Sequence, residues 1–464
     1  MNAPFLILVL GGILALAGFI LRGRAAPASW IAGIGAVLLG AVALGVVLGE
    51  PFQVLGFGVK LEPAWSVLGR SLVLSPANRV AIGFVFITGA LPLAGSYAAD
   101  APRRLGSIGL LILVLLAAAL MVEPFVFSPT LIAAAAILGC LVVVRPDGRP
   151  GRAAPRLLVA YVLGMMAILS AGWLIEVGGV TASTESPART ASLLLGLGIA
   201  IIVVTPPFHT WLTASANESH PMALVFMATA LQSAGLFLLL NSLASYSWMR
   251  SEPLVFSFLR GAGLLMIALG GVWCLAERRG PRIVAYALLI DFGVSLLAVA
   301  SATPEGYAIA LGMAGARAVG AVVWGIGFSN LSVATGSEPD PAQAIPAIHP
   351  MAAAAALAGA LSLAGLPLTA GFAGRWMSLA TVQGDRVASL AIAFGVVAVS
   401  YSVVRWARGL GPPAEVPSLP RGRRVLLIGG TASILILGVL PGWLYAWALS
   451  AGAGLGGILP PTPP

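Results

Sequence analysis

Residues 361–376 read LSLAGLPLTAGFAGRW, an apolar helical run interrupted by Pro367 and Gly371 with Arg375 just beyond the interruption. Proline removes a backbone donor and clashes with the preceding turn, so a helix that keeps one inside a membrane breaks there. A fixed charge in hydrocarbon is costly unless it faces a protein interior or a wet cavity. A broken helix with a charge beside it is the pattern of an ion path. The alternative is a structural kink whose Arg reaches the nearer interface along its apolar stem.

Uncharged apolar runs recur on both sides of this stretch, along a chain of 464 residues that is 59% hydrophobic and only 9% charged. A helical span needs roughly 20 such residues. Fourteen are counted, near 4–22, 28–49, 78–98, 105–122, 124–145, 155–178, 189–205, 220–242, 254–276, 281–300, 305–330, 350–377, 386–408 and 423–448. The fold class is therefore an all-α integral membrane protein, with no room left for a soluble catalytic domain.

The formal charge of +9 does not point to nucleic acid, because the basic residues sit in short loops. Sixteen, from Arg22 to Arg424, follow odd-numbered spans and seven, from Lys60 to Arg386, follow even-numbered ones. That asymmetry puts the odd loops in the cytoplasm and both termini outside. The first span has its charges after it and reads as a retained anchor. Cys140 and Cys274 fall inside spans, and His209, His220 and His349 lie far apart, so neither a disulfide framework nor a metal, haem or nucleotide site is expected.

A second interruption lies at 201–212, IIVVTPPFHTWL, where Pro206 and Pro207 end an apolar run ahead of His209 and Trp211. Paired broken helices in the two halves of a chain point to an internal-repeat transporter. Taking spans 4–8 and 9–13 as two inverted five-helix repeats divides the chain into 1–104, 105–245, 246–410 and 411–464. The linker 51–77 carries a partly alternating stretch, Phe52–Leu61, expected as a surface hairpin. Arg145–Arg156 reads as a Gly/Pro/Arg turn, and the Pro-rich tail Leu459–Pro464 as unstructured.

Few side chains can carry charge inside such a bundle. Asp291 stands nine residues beyond Arg282, roughly 13 Å along a helix and near mid-membrane. Arg317, one span later, is its expected partner, either on an ion path or as a structural lock between two helices. Glu123, before Pro124, is expected at a helix end. His209 either bonds carbonyls freed by the break or shuttles protons. Gln232 can orient water and cannot titrate. Trp211 and Trp376 read as packing or interface anchors.

Three segments resemble one family. Pro207–Gln232 (PFHTWLTASANESHPMALVFMATALQ), Arg282–Gly293 (RIVAYALLIDFG) and Leu361–Trp376 are similar, in order and spacing, to the antiporter-like membrane subunits of respiratory complex I, membrane hydrogenases and multi-subunit sodium/proton antiporters. The resemblance is greatest to the N-type subunit of NADH–quinone oxidoreductase. It implies a multi-pass subunit of the inner (plasma) membrane, packed in the bilayer against other membrane subunits. Such subunits carry no redox cofactor of their own, any quinone being bound by partner subunits.

The departures from the family are as informative. The family's proton-carrying Lys and Glu row would fall here on Ile132, Ile202 and Gln232 in the first half, and on Arg317 and Arg375 in the second. The first half lacks its titrating groups and is expected to be the drier one. Guanidinium stays protonated above pH 12, so the second half holds charges that cannot relay a proton. Three readings stay open: a proton-translocating subunit of a redox complex, a subunit of a cation/proton antiporter or proton-driven solute transporter, and a non-conducting scaffold.

Overall fold

The computed structural model describes residues 2–46, 48–49, 51–54, 57–67, 69–145, 151–178, 185–246, 249–250, 253–331, 349–410 and 419–454. The first half holds α1 (Ala3–Ile20), α2 (Ala25–Gly45), α3 (Pro76–Ala98), α4 (Arg104–Met121), α5 (Ser128–Val142), α6 (Ala153–Gly178), α7 (Glu185–Ile202), α8 (Thr210–Glu218) and α9 (Pro221–Ser245). The second holds α10 (Pro253–Ala276), α11 (Gly280–Ala300), α12 (Pro304–Ser329), α13 (Pro350–Ala364), α14 (Ala370–Thr381), α15 (Arg386–Arg408), α16 (Arg421–Val439) and α17 (Gly442–Gly454). The protein is an all-α integral membrane protein. Twelve of its described helical segments are long and apolar enough to cross a bilayer, and Arg189–Ile202 and Pro350–Ala364 are shorter apolar helices.

The linker before α3 forms two small antiparallel sheets. β1 (Pro51–Val54) pairs with β2 (Phe57–Lys60). β3 (Ala64–Val67) pairs with β4 (Arg70–Val73), and β4 in turn pairs with β5 (Val122–Glu123), a return strand that the local alternation of 52–61 does not signal. The amide of Ala3 donates to the Glu62 carbonyl (2.9 Å), tying the start of α1 to this sheet end. At the opposite end Arg103 reaches the Gly23 carbonyl (3.2 Å), Arg104 the Val144 carbonyl (3.0 Å) and Asn330 the Ala98 carbonyl (2.8 Å). The turns after α1, α3, α5 and α12 thus share one face, where much of the Arg content lies.

α9, α11 and α12 form the interior, whereas α1 and α16 leave most of their surface outward. Small residues let the second-half helices touch backbone to backbone. A Cβ on Gly359 of α13 would lie 2.4 Å from the Trp324 nitrogen of α12, too close for any side chain.

Two span boundaries differ from the sequence reading. The run 423–448 is not one helix: α16 stops at Val439 and α17 restarts at Gly442, because Pro441 cannot continue a helix. The run 124–145 starts its helix only at Ser128, after the extended Val122–Glu123 and a short 3₁₀ turn over Phe125–Phe127. The tail Leu459–Pro464 and residues 146–150 of the Arg-rich turn lie outside the described residues.

Candidate functional site: a buried carboxylate between two guanidinium groups

Both interrupted helices end in a residue of left-handed backbone. α7 stops at Ile202, Val204 takes φ 70°, and the Thr205 amide bonds back to the Ala200 carbonyl (3.0 Å). α13 stops at Ala364, Gly365 takes φ 80°, and the Leu366 amide bonds back to the Leu361 carbonyl (3.2 Å). These are the six-to-one bonds that close a helix C-terminus. Pro206 and Pro207 lie within the first interruption and Pro367 within the second; Gly371 is already in the first turn of α14. Gly371 has its own reason to lack a side chain, since a Cβ there would sit 2.0 Å from the Ser362 carbonyl oxygen.

Beside the second interruption three helices converge on one carboxylate. Asp291 Oδ2 of α11 accepts from Arg317 Nη1 of α12 at 2.8 Å, and Asp291 Oδ1 meets Arg375 Nη2 of α14 at 3.0 Å. The side chains are 7%, 1% and 3% exposed, so solvent does not screen the pairing. Arg375 Nη2 also donates to the Leu363 carbonyl (3.0 Å) in the last turn of α13, one of the acceptors that a helix end leaves free. Gly365 makes room for this side chain: a Cβ there would lie 2.4 Å from Arg375 Cγ. The Arg317 guanidinium additionally stacks over Phe292, 4.9 Å from the ring centre.

Sequence pattern paired Asp291 with Arg317 and did not bring Arg375 to the same carboxylate. It also missed Tyr445 of α17, whose hydroxyl occupies the space that a Gly374 side chain would need, 2.4 Å from that Cβ position. A Cβ on Gly312 would likewise lie 2.4 Å from the Tyr445 ring, so two glycines form its slot. The break at Pro441, which turns α17 back toward the bundle, is the one signal that could have found it.

The other candidates lie elsewhere. His209 stacks on Trp273 with ring centres 4.8 Å apart, and its Nδ1 has no protein partner. Gln232 is fully buried in α9 with both amide atoms unpartnered. Ile132 and Ile202 are buried and apolar. Glu123 is exposed on β5, just past the end of α4. It lines a cavity of about 590 Å³ with Asn241, Ser245 and Tyr246, away from the charged cluster. Among the described residues Asp291 is the only buried acid, and no group of three or more His, Cys, Asp or Glu side chains could hold a metal.

Residues 157–400 match the family described as NADH:quinone oxidoreductase/Mrp antiporter, transmembrane, and the chain belongs to that family. NADH-quinone oxidoreductase subunit N 1 of Solidesulfovibrio magneticus is 28% identical over 311 residues, covering 65% of this chain and 65% of that protein. The alignment therefore spans somewhat less than two thirds of the curated relative. Among solved structures, a chain of the Mrp complex from a Dietzia species superposes with TM-score 0.77 at 18% identity, covering 97% of this chain and 51% of that one. A chain of NADH-bound respiratory complex I from Thermus thermophilus superposes with TM-score 0.70 at 20% identity, covering 98% and 100%. At these identities the two superpositions show a shared fold.

Proposed function

We propose that this chain is an antiporter-like subunit of a redox-driven, proton-translocating membrane complex of the NADH–quinone oxidoreductase kind. Its second half supplies fixed charge and its first half is a degenerate channel. The carrying observation is the Asp291–Arg317–Arg375 cluster, buried at an interrupted helix within the residues that match the family. In this reading the chain holds no redox cofactor, packs in the bilayer against other membrane subunits, and relies on those partners for any quinone. The interruptions after α7 and α13, one in each half of the chain, support inverted repeats over spans 4–8 and 9–13. The Arg-rich face is the cytoplasmic one in the inner membrane, which leaves both termini outside.

Arg375 acts through its charge. A guanidinium cannot deprotonate near neutral pH, so Arg375 sets the local field without itself carrying a proton. Copurification from native membrane tests the assembly directly. Quinone-oxidoreductase subunits should accompany the chain. Small antiporter subunits in their place would make it part of a cation/proton antiporter, and isolation without partners would remove the redox reading.

A further inference from the structure

The cluster does not balance its own charge. Counting fixed charges, the buried groups among the described residues are Arg317, Arg375 and Asp291, two cations against one carboxylate. Other described acids lie toward the helix ends, as Glu277 with Arg282 and Asp385 with Arg260. The helix termini at the interruption do not supply the missing negative charge. The C-terminal end of α13 and the N-terminal end of α14 meet there, and their partial charges, roughly half a unit each and opposite in sign, offset one another.

The same cluster has a surplus of donors. Arg317 Nη2, Arg375 Nε and Arg375 Nη1 are buried without a protein acceptor, as are the hydroxyls of Ser362 and Tyr445. These groups sit close together. Both guanidinium groups hold the same carboxylate, and Tyr445 lies beside Gly374 within electrostatic range of Asp291 and Arg375. Ser362 Oγ lies 3.1 Å from the position of a Cβ on Gly320, one turn beyond Arg317. Buried donors need acceptors, and a buried net positive charge needs a counter-charge. Water would satisfy the donors and leave the charge; a cation would add to it.

We propose that the two guanidinium groups form a binding site for one small monovalent anion of halide size, with the unpartnered guanidinium N–H groups as its ligands and the Tyr445 hydroxyl beside them. The bound anion makes the cluster electrically neutral, with the Asp291 carboxylate as the second counter-charge. This site stands independently of the proposed redox coupling, because it depends only on the charges and donors within this chain.

The test is equilibrium binding of radiolabelled chloride to the purified full-length chain in nanodiscs, with gluconate holding ionic strength constant. Saturable binding of one chloride per chain is expected. Arg317→Gln should weaken it by about tenfold or more, and Asp291→Asn, which removes a competing negative charge, should tighten it by a similar factor. Tyr445→Phe keeps the ring in its slot and should weaken binding a few-fold, which locates the site even if the charge variants do not fold. A folded wild-type chain with no saturable chloride or bromide binding overturns the proposal. So does binding that Tyr445→Phe and every foldable charge variant leave unchanged.

Discussion

The two interrupted helices solve one backbone problem with different residues around it. After α7 the left-handed position is Val204; after α13 it is Gly365, and both are closed by the same type of back-bond. Around the first lie apolar side chains with His209 and Gln232, and around the second lie Asp291, Arg317 and Arg375. Interruption and charge are therefore separable. The cap is a local steric solution that stands without an ion pair, whereas the cluster needs side chains from α11, α12 and α14 held at one depth.

The largest effect that could break this comparison concerns the buried charges. Asp291→Ala leaves two guanidinium groups without their carboxylate and should destabilise the protein by about 3–5 kcal/mol, read by thermal unfolding in nanodiscs at low halide. The first-half counterpart should behave in the opposite way. Gln232→Leu removes two buried polar atoms that have no protein partner, so its melting temperature should be unchanged or raised. Equal losses in both variants would show that the first half is as dependent on polar contacts as the second.

Exchanging the left-handed residues sharpens the comparison at the backbone. Gly365→Val places a β-branched side chain at φ 80° and against Arg375, and should cost about 1–3 kcal/mol. Val204→Gly relieves a similar conformation at φ 70° and should be neutral or mildly stabilising by the same melting measurement. A destabilising Val204→Gly would mean that the packing of the Val204 side chain outweighs its backbone strain.

The smallest effect lies at the start of α15, where its capping Asp385 and Arg260 of α10 form a half-exposed pair whose Arg Nη2 to Oδ1 distance is 2.9 Å. The hydrogen bond from Arg260, with help from the Val387 and Ala388 amides, holds the Asp385 carboxyl down at about 2, against an ordinary 3.8. A depressed carboxylate stabilises the fold above its unfolded value and loses that contribution as pH falls through the folded one. The loss should therefore run from about pH 4 down to about pH 2. Being solvent-exposed, the pair should contribute less than about 1 kcal/mol and weaken with salt. Melting curves of wild type and Asp385→Asn over that range should converge toward the acid end, and curves that stay parallel would dismiss the pair as a contributor.

The membrane-spanning class and both interruptions were legible in sequence because each rests on local chemistry: long uncharged runs, and prolines within them. The pairing of Asp291 with Arg317 was legible because neighbouring helices pack and a buried carboxylate needs a cation. Convergence of Arg375 on the same carboxylate was not, since it depends on how the Gly365 turn aims α14. Tyr445 was hidden for a related reason. Hydropathy joined α16 and α17 into one span, and only the turn at Pro441 brings the phenol to Gly374. The β4–β5 pairing joins residues some fifty positions apart, which no local alternation reveals.

The central claim is that the second interruption works through fixed charge. Proton uptake by vesicles holding the complex that copurifies with the chain, measured alongside assembly for Arg375→Lys and Arg375→Leu, tests it most directly. Lys keeps a positive charge at the cluster and should preserve assembly with most of the proton uptake, whereas Leu should abolish uptake or prevent assembly. Full uptake and normal assembly with Leu at this position would contradict the account and reduce Arg375 to a packing residue.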